Sequence, residues 1–416
     1  LVLSGTAIAQ DKNRLFTPEE LKADVAYYYE TLYSKHPNPY HYYPLSEFED
    51  VKNRVCAQLN KPLTKEQFSR IILELNSCID RHSQIQARYS HLTKADIDSI
   101  NKLKLFPRIK IEDGKLFFRN EHQQDEIVEI NGMAVSDILS DMKKGYNWRL
   151  PYANTVNYNQ IRMLFLGEIC VTYKLKPPFR VKFAGSNKIH TVEGVTYPRT
   201  DREDYAYKIY PDNSIAIFYI TTFNGSKKEQ FEKACNEFIQ AVNEQKIKYI
   251  FYDLSSNLGG NHFGLSALDV IRHDDIYFKL TKICREKAAV IRKFRVNDLL
   301  LPPNHDINIP KDRKLFVLQG IGTESCGNYF CRIVAENKLG VLVGQPTGEP
   351  TVAFTWTHSY EMPNTKISFN IAAEFWDFSD YFKSETLNPD MYWDVSPLDF
   401  TEKELMEIIK SYGKNE

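Results

Sequence analysis

No run of about 18 apolar residues occurs in this 416-residue sequence, so no transmembrane helix is expected. Net charge is lacking too. The 53 Lys and Arg against 54 Asp and Glu leave a formal charge of −1, too small for a global field that would hold a polyanion, and nucleic acid is not expected as a partner. The seven cysteines (Cys56, Cys78, Cys170, Cys235, Cys284, Cys326, Cys331) include no close C-x-x-C pair of the kind metal sites use. Their odd number leaves at least one thiol unpaired, and a chain of this size does not need disulfides, so mostly buried free thiols are expected. No internal repeat or low-complexity tract appears.

What is present fits a large globular protein. The length points to two or three domains. Twenty-five Tyr and twenty-five Phe suit aromatic cores or aromatic-lined grooves. The opening Leu1-Val-Leu-Ser-Gly-Thr-Ala-Ile-Ala-Gln10 reads as the end of a signal h-region with an A-x-A site closing at Ala9. No basic n-region precedes it, so the sequence is expected to begin inside the signal. Residues 1–9 are thus expected to be a signal remnant and the protein to be exported, periplasmic or extracellular.

Three capping-box signatures, Thr17-Pro-Glu-Glu20, Ser46-Glu-Phe-Glu49 and Thr64-Lys-Glu-Gln67, each precede an apolar pattern of helical period. They predict a helical N-terminal domain over 15–103. Phe68, Ile71, Ile72 and Leu75 share one face of its third helix, which puts His82 in the helix-exit loop. Over 104–200 short alternating runs separated by Gly, Asn and Pro predict a β-rich module, with an Asn131-Gly132 turn joining two strands. From 204 to 413 apolar strands alternate with helical stretches near 226–244 and 263–272, the pattern of a layered α/β domain. A last helix is announced by Thr401-Glu-Lys-Glu404.

Two segments of the α/β part carry candidate chemistry. After the strand ending at Leu318 comes Gly320-Ile-Gly-Thr-Glu-Ser-Cys-Gly-Asn328, then a helical stretch. Ser325 stands at a strand-to-helix turn, where a serine is either a helix N-cap or an exposed nucleophile. In Tyr252-Asp-Leu-Ser-Ser-Asn-Leu-Gly-Gly-Asn261 a strand runs into the pair Gly259–Gly260. Glycines there let backbone N–H groups approach a ligand, as in an oxyanion hole or a phosphate cradle, or simply close a cap. That segment carries neither G-x-G-x-x-G nor G-x-x-x-x-G-K, so nucleotide binding has no support.

Taken in order, these pieces resemble the C-terminal processing peptidases, which include the tail-specific proteases and the tricorn core, and above all the bacterial tricorn-like members. The resemblance runs through Lys35-His-Pro-Asn-Pro-Tyr40, Ile79-Asp-Arg-His-Ser83, Glu129-Ile-Asn-Gly132, the Ala216 to Phe223 strand and Asp253-Leu-Ser-Ser-Asn-Leu-Gly-Gly260. It continues through Thr323-Glu-Ser-Cys-Gly327, Val343-Gly-Gln-Pro-Thr-Gly348, Met362-Pro-Asn364 and Leu387-Asn-Pro-Asp390. It implies a multidomain α/β (α+β) chain whose catalytic domain is a crotonase-like spiral and whose middle module is similar to a degenerate PDZ domain.

The resemblance also implies a serine peptidase acting on a peptide or unfolded protein, with no metal or cofactor. Ser325 matches the nucleophile, and the oxyanion hole matches the N–H of Cys326 with one from Gly259 or Gly260. The dyad enzymes keep a Lys after their G-E-x-T-x-G element, but Gln345-Pro-Thr-Gly-Glu-Pro350 offers none before Lys366. His82 therefore matches the tricorn-like base, suited to take a serine proton near neutral pH. His262 is the runner-up, and His36 matches a structural turn. The group orienting His82 stays open among Ser83, Asp377, Asp380 and Glu385. Several positions depart from the family pattern, among them Ser255, Leu258, Gln345, Cys326 and Asn328. They leave two rivals: an inactive peptide-binding homologue and a serine esterase.

Overall fold

The structure, a computed structural model, describes residues 14–100, 104–107, 109–118, 125–150, 153–195, 203–271, 276–287, 290–301, 312–350, 352–378, 386–395 and 400–414. Residues 1–9, Asp380 and Glu385 lie outside these. The chain forms two compact units, one of Leu1–Pro198, Ile283–Arg292 and Phe354–Phe375, the other of Arg199–Lys282, Lys293–Ala353 and Trp376–Glu416. The stretches 283–292 and 354–375 thus cluster with the first unit although they fall within 204–413.

In the first unit the helix Pro18–Lys35 starts on a complete capping box between Thr17 and Glu20 and buries Leu21, Val25, Tyr28 and Leu32, one stripe at helical spacing. The helix Lys65–Ile72 has the same device between Thr64 and Gln67 and runs on as a 3₁₀ turn, Leu73–Cys78. The box expected at Ser46 does not form. Pro44 is the N-cap of Leu45–Gln58 and makes no side-chain cap bond, since proline before the first turn already fixes the entry backbone and the helix begins two residues early. These helices share a core with Phe369 and Ile371.

A second core of this unit lies against a six-stranded sheet in which Ile109–Glu112, Lys115–Phe118, Ile127–Ile130, Phe179–Phe183 and Ile189–Val192 follow in order and the short strand Met133–Ala134 also pairs with Ile127–Ile130. Asn131 and Gly132 make the expected turn, with φ of 51° and 85°. The module also holds two helices that the β-rich reading did not anticipate, Val135–Lys143 and Ala153–Val171. In the second the crowded run Met163-Leu-Phe-Leu166 hides the helical period of its buried Ile161, Phe165 and Ile169.

The second unit is built on a six-stranded sheet in the order Met391–Tyr392, Val341–Gly344, Lys314–Gln319, Tyr249–Asp253, Ile215–Ile220, Tyr205–Tyr210. Successive pairs are parallel except the last, which is antiparallel. Alternate residues of its strands feed two cores. Ala216, Phe218, Ile250, Tyr252, Leu315 and Val317 pack with the helices Lys228–Glu244 and Cys326–Glu336. Ile217, Phe251, Phe316 and Leu318 pack with Leu405 and Ile408 of Glu402–Tyr412. Burial on both faces explains why the strands read as unbroken apolar runs. The helix expected near 263–272 is a 3₁₀ helix, His262–Val270. All seven cysteines are free thiols, four of them buried. Among the described residues no helix is long and apolar enough to cross a membrane.

One group in this unit is poorly matched to its site. Both carboxylate oxygens of Glu336 are buried with no hydrogen bond of good geometry, and burial pushes this carboxyl up to about 7 against the weaker pull of the Lys279 charge and backbone N–H. Between about pH 4.3, where the unfolded group titrates, and pH 7 the folded state binds more protons, so stability falls as pH rises through that window. Glu336→Gln is expected to melt higher than the parent at pH 8, with the gap closing toward pH 4. Thermal denaturation across that range checks this.

Candidate active site

The strand Lys314–Gln319 ends in a turn that is bonded at nearly every residue. Thr323, fully buried, donates its hydroxyl to Leu254 O at 2.8 Å and accepts Gly320 N–H at 2.9 Å. Its own N–H returns to Gly320 O at 2.8 Å, and its carbonyl accepts Gly348 N–H at 3.1 Å. Glu324 N–H donates to Asn257 O at 2.9 Å. The turn delivers Ser325 at the N-terminus of Cys326–Glu336 with φ 49° and ψ −124°, a conformation that L-residues seldom adopt. Its side chain makes no capping bond. Ser325 thus occupies the N-cap position without capping: its backbone is not the extended one of a capping serine, and its hydroxyl is not spent on the helix.

Facing it is the glycine pair. A methyl group on Gly259 would stand 2.5 Å from Ser325 Cβ and 2.7 Å from Cys326 N, so only glycine fits against this peptide. The two glycines differ in role. Gly259 N–H donates to Asn257 Oδ1 at 2.8 Å and is spent inside its own loop, which removes it from the expected oxyanion donors. Gly260 N–H approaches the Cys326 sulfur, and Cys326 N–H is the first of its helix, ahead of any intrahelical acceptor. Burial, reinforced by Glu349 and opposed by Gly260 N–H, pushes the Cys326 thiol up to about 12, so it stays protonated and does not compete with Ser325 as nucleophile.

Asn257 is the residue that sequence reasoning passed over. Fully buried, it also donates Nδ2 to Ile220 O at 2.9 Å, and so fixes the glycine loop to the sheet. An Asn two residues before a glycine is an Asx-turn signal that could have marked it. Ser255, standing where the resemblance implies Arg, donates its hydroxyl and N–H to Asp253 Oδ1 at 2.6 and 3.0 Å.

Residues 214–391, which hold this whole arrangement, match peptidase family S41. This segment belongs to peptidase family S41. Among solved structures, mature CPAF superposes with a TM-score of 0.59 at 11% identity, covering 95% of this chain and 97% of that one. A candidate peptidase from Parabacteroides merdae ATCC 43184 gives 0.50 at 14% identity, covering 96% of each. At such identities the likeness is one of fold, and it confirms a multidomain α/β architecture. Among curated proteins none matches this sequence.

Within the S41 segment His262, the runner-up base, is stacked on Tyr329 at 4.7 Å between ring centroids, with Trp376 at 6.3 Å. Burial lowers its pKa, as expected for an imidazole packed among rings. Asp377 ends the strand Ser368–Asp377 in the same unit. His82 and Ser83 belong to the first unit. Ser83 is fully buried, and its hydroxyl accepts Ala372 N–H at 2.8 Å, which makes it a strut of its loop. His82 is partly buried, with its N–H given to Asp80 Oδ1 at 2.8 Å.

Proposed function

We propose that this protein hydrolyses peptide bonds of exported proteins or oligopeptides through an acyl-enzyme on Ser325, with His82 as general base. One observation carries the reading: within an S41 segment, Ser325 is held in a strained turn, with no capping bond, against a glycine that no other residue could replace. In this scheme Ser325 Oγ attacks the scissile carbonyl carbon while His82 takes its proton. Cys326 N–H and Gly260 N–H, the latter exchanging its contact with the Cys326 sulfur for the substrate, hold the oxyanion, the C–N bond breaks as His82 protonates the leaving amine, and water then releases the acyl group. Assignment of the base rests on the likeness of Asp80-Arg-His-Ser83 to the tricorn-like segment and on the missing Lys before Lys366. Export rests on the Ala7-Ile-Ala9 segment and belongs to the same proposal.

A fluorophosphonate probe followed by peptide mapping tests the reading, the adduct being expected on Ser325. Labelling elsewhere, or none, would leave the inactive peptide-binding homologue. Hydrolysis of fluorescein-labelled β-casein compared with a p-nitrophenyl ester separates peptidase from esterase. His82→Gln is expected to lower casein turnover by roughly three orders of magnitude or more while leaving the fold unchanged, as loss of a general base does in other serine peptidases. Parental turnover in His82→Gln would remove the base assignment but leave the nucleophile.

A further inference from the structure

The loop that carries His82 is anchored far more heavily than an ordinary helix exit. At its start Asn147 Nδ2 donates to Ile79 O at 2.9 Å, and at its end Asn76 brackets Ile85, accepting its N–H at 2.8 Å and donating to its carbonyl at 3.0 Å. Between these anchors stands Asp80, 3% exposed. Its Oδ1 accepts two backbone N–H groups, from His82 at 2.8 Å and Ser83 at 3.0 Å. Its Oδ2 meets His36 Nε2 at 2.9 Å, and His36 is itself 1% exposed.

The direction of that contact follows from the other ring nitrogen. Asn38 N–H donates to His36 Nδ1 at 3.1 Å, so Nδ1 is unprotonated and the ring proton sits on Nε2, given to Asp80. The backbone of His36 is clamped in turn: Arg285 donates from Nε to His36 O at 2.7 Å and from Nη2 to Pro37 O at 3.3 Å. Burial by itself raises the Asp80 carboxyl, but the bond from His36, the fields of His36 and His82 and the contact with Ser83 more than offset it, holding it below the usual carboxylate range. A buried carboxylate kept ionised and fully bonded is a rigid fixture, because releasing any of its partners strands a charge or an amide away from water.

We infer that Asp80, held by His36, is the positioning residue of the general base: it sets the backbone of His82, and through it the direction of the imidazole. The inference rests on the assignment of His82 proposed above. Asp80 touches no reacting atom in this role. Its effect reaches the chemistry only through His82, which is what separates positioning from mere support of the fold.

The test measures kcat and KM on fluorescein-labelled β-casein, and the rate of fluorophosphonate labelling of Ser325, for Asp80→Ala and Asp80→Asn, each alone and combined with His82→Gln. Asp80→Ala frees both loop amides and is expected to lower kcat and the labelling rate about a hundredfold, the scale of a misplacement near 1 Å, with KM within about twofold. Asp80→Asn keeps an oxygen acceptor for the two amides but sets its NH₂ against the Nε2 proton of His36. It is expected to recover most of the loss, leaving a roughly threefold to tenfold deficit confined to kcat. In the His82→Gln background neither substitution should lower the residual rate further.

Equal losses in both backgrounds would make Asp80 a fold residue only and overturn the inference, as would parental kcat in Asp80→Ala beside an inactive His82→Gln. Should Asp80→Ala not fold, Asp80→Asn decides: parental kcat, or a deficit that persists without His82, overturns it. Parental turnover in His82→Gln, or a parent that neither cleaves nor labels, fails one step earlier and removes the reading on which the inference stands.

Discussion

Ser325→Ala is expected to lower peptide hydrolysis by about 10⁴-fold or more and to leave thermal stability where it was. The first part follows from loss of the nucleophile, since serine peptidases stripped of theirs keep only the residual catalysis of binding and the oxyanion hole. The second follows from the geometry. A capping serine replaced by alanine costs about 1 kcal/mol, but Ser325 makes no capping bond, so its hydroxyl supports nothing in the helix. Ser325→Gly sharpens the point. At φ 49° and ψ −124° a side chain is strained, and glycine is expected to recover about 1 kcal/mol after its own entropy cost, raising the melting temperature of an inactive protein. Casein turnover and thermal denaturation of the two variants suffice. A well-folded Ser325→Ala that still hydrolyses casein would end the assignment, and a lowered melting temperature would restore the N-cap explanation.

Where the sequence was legible, one physical rule acted alone. Thr17, Thr64 and Thr401 each announce a helix through a local capping box, and all three form. Ser46 shows the limit, because Pro44 fixes the entry backbone before the serine can. The apolar runs at 215–220, 249–253 and 314–319 could be placed as buried parallel strands because both faces of one sheet are covered. Position in the chain was enough to put Ser325 at a strand-to-helix turn. It could not show that the hydroxyl is uncommitted, since that depends on a backbone angle fixed where Thr323 and Glu324 bond to Leu254 and Asn257, about 70 residues away in the chain. The division of labour between Gly259 and Gly260 was hidden for the same reason. The two glycines are adjacent, and only the side chain of Asn257, folding back on its own loop, decides which N–H is spent. Asp80 and His36 stand 44 residues apart, a pairing no local pattern announces.

Gly259→Ala is expected to damage activity and stability together, although Gly259 is not one of the reacting groups. The position has φ 91°, which costs an L-residue roughly 1–2 kcal/mol before any contact is counted. The added methyl would then lie 2.5 Å from Ser325 Cβ, 2.7 Å from Cys326 N and 2.9 Å from Glu324 O. Two of those atoms are backbone and the third is the first carbon of a side chain, so no flexible end can swing away. The Ser325 turn is held by the bonds of Thr323 and by Glu324 N–H on Asn257. The glycine loop is held by the bond of Gly259 N–H to Asn257 Oδ1 and by the pairing of Phe223 N–H with Gly259 O at 2.8 Å. Whichever side gives way, the Cys326 N–H and Gly260 N–H proposed to hold the oxyanion are displaced, and losing one oxyanion donor already costs about 10²–10³ in kcat. A kcat at least about a hundredfold lower is therefore expected, together with about 2–4 kcal/mol of lost stability from strain and overpacking. Gly185→Ala is the control. It has φ 73° with nothing within 4 Å of the added methyl, so it should lose only the 1–2 kcal/mol of its φ, roughly, and keep full activity. Urea unfolding and casein turnover of the two variants decide the matter: if Gly259→Ala keeps parental kcat, the glycine loop is not what shapes the oxyanion site.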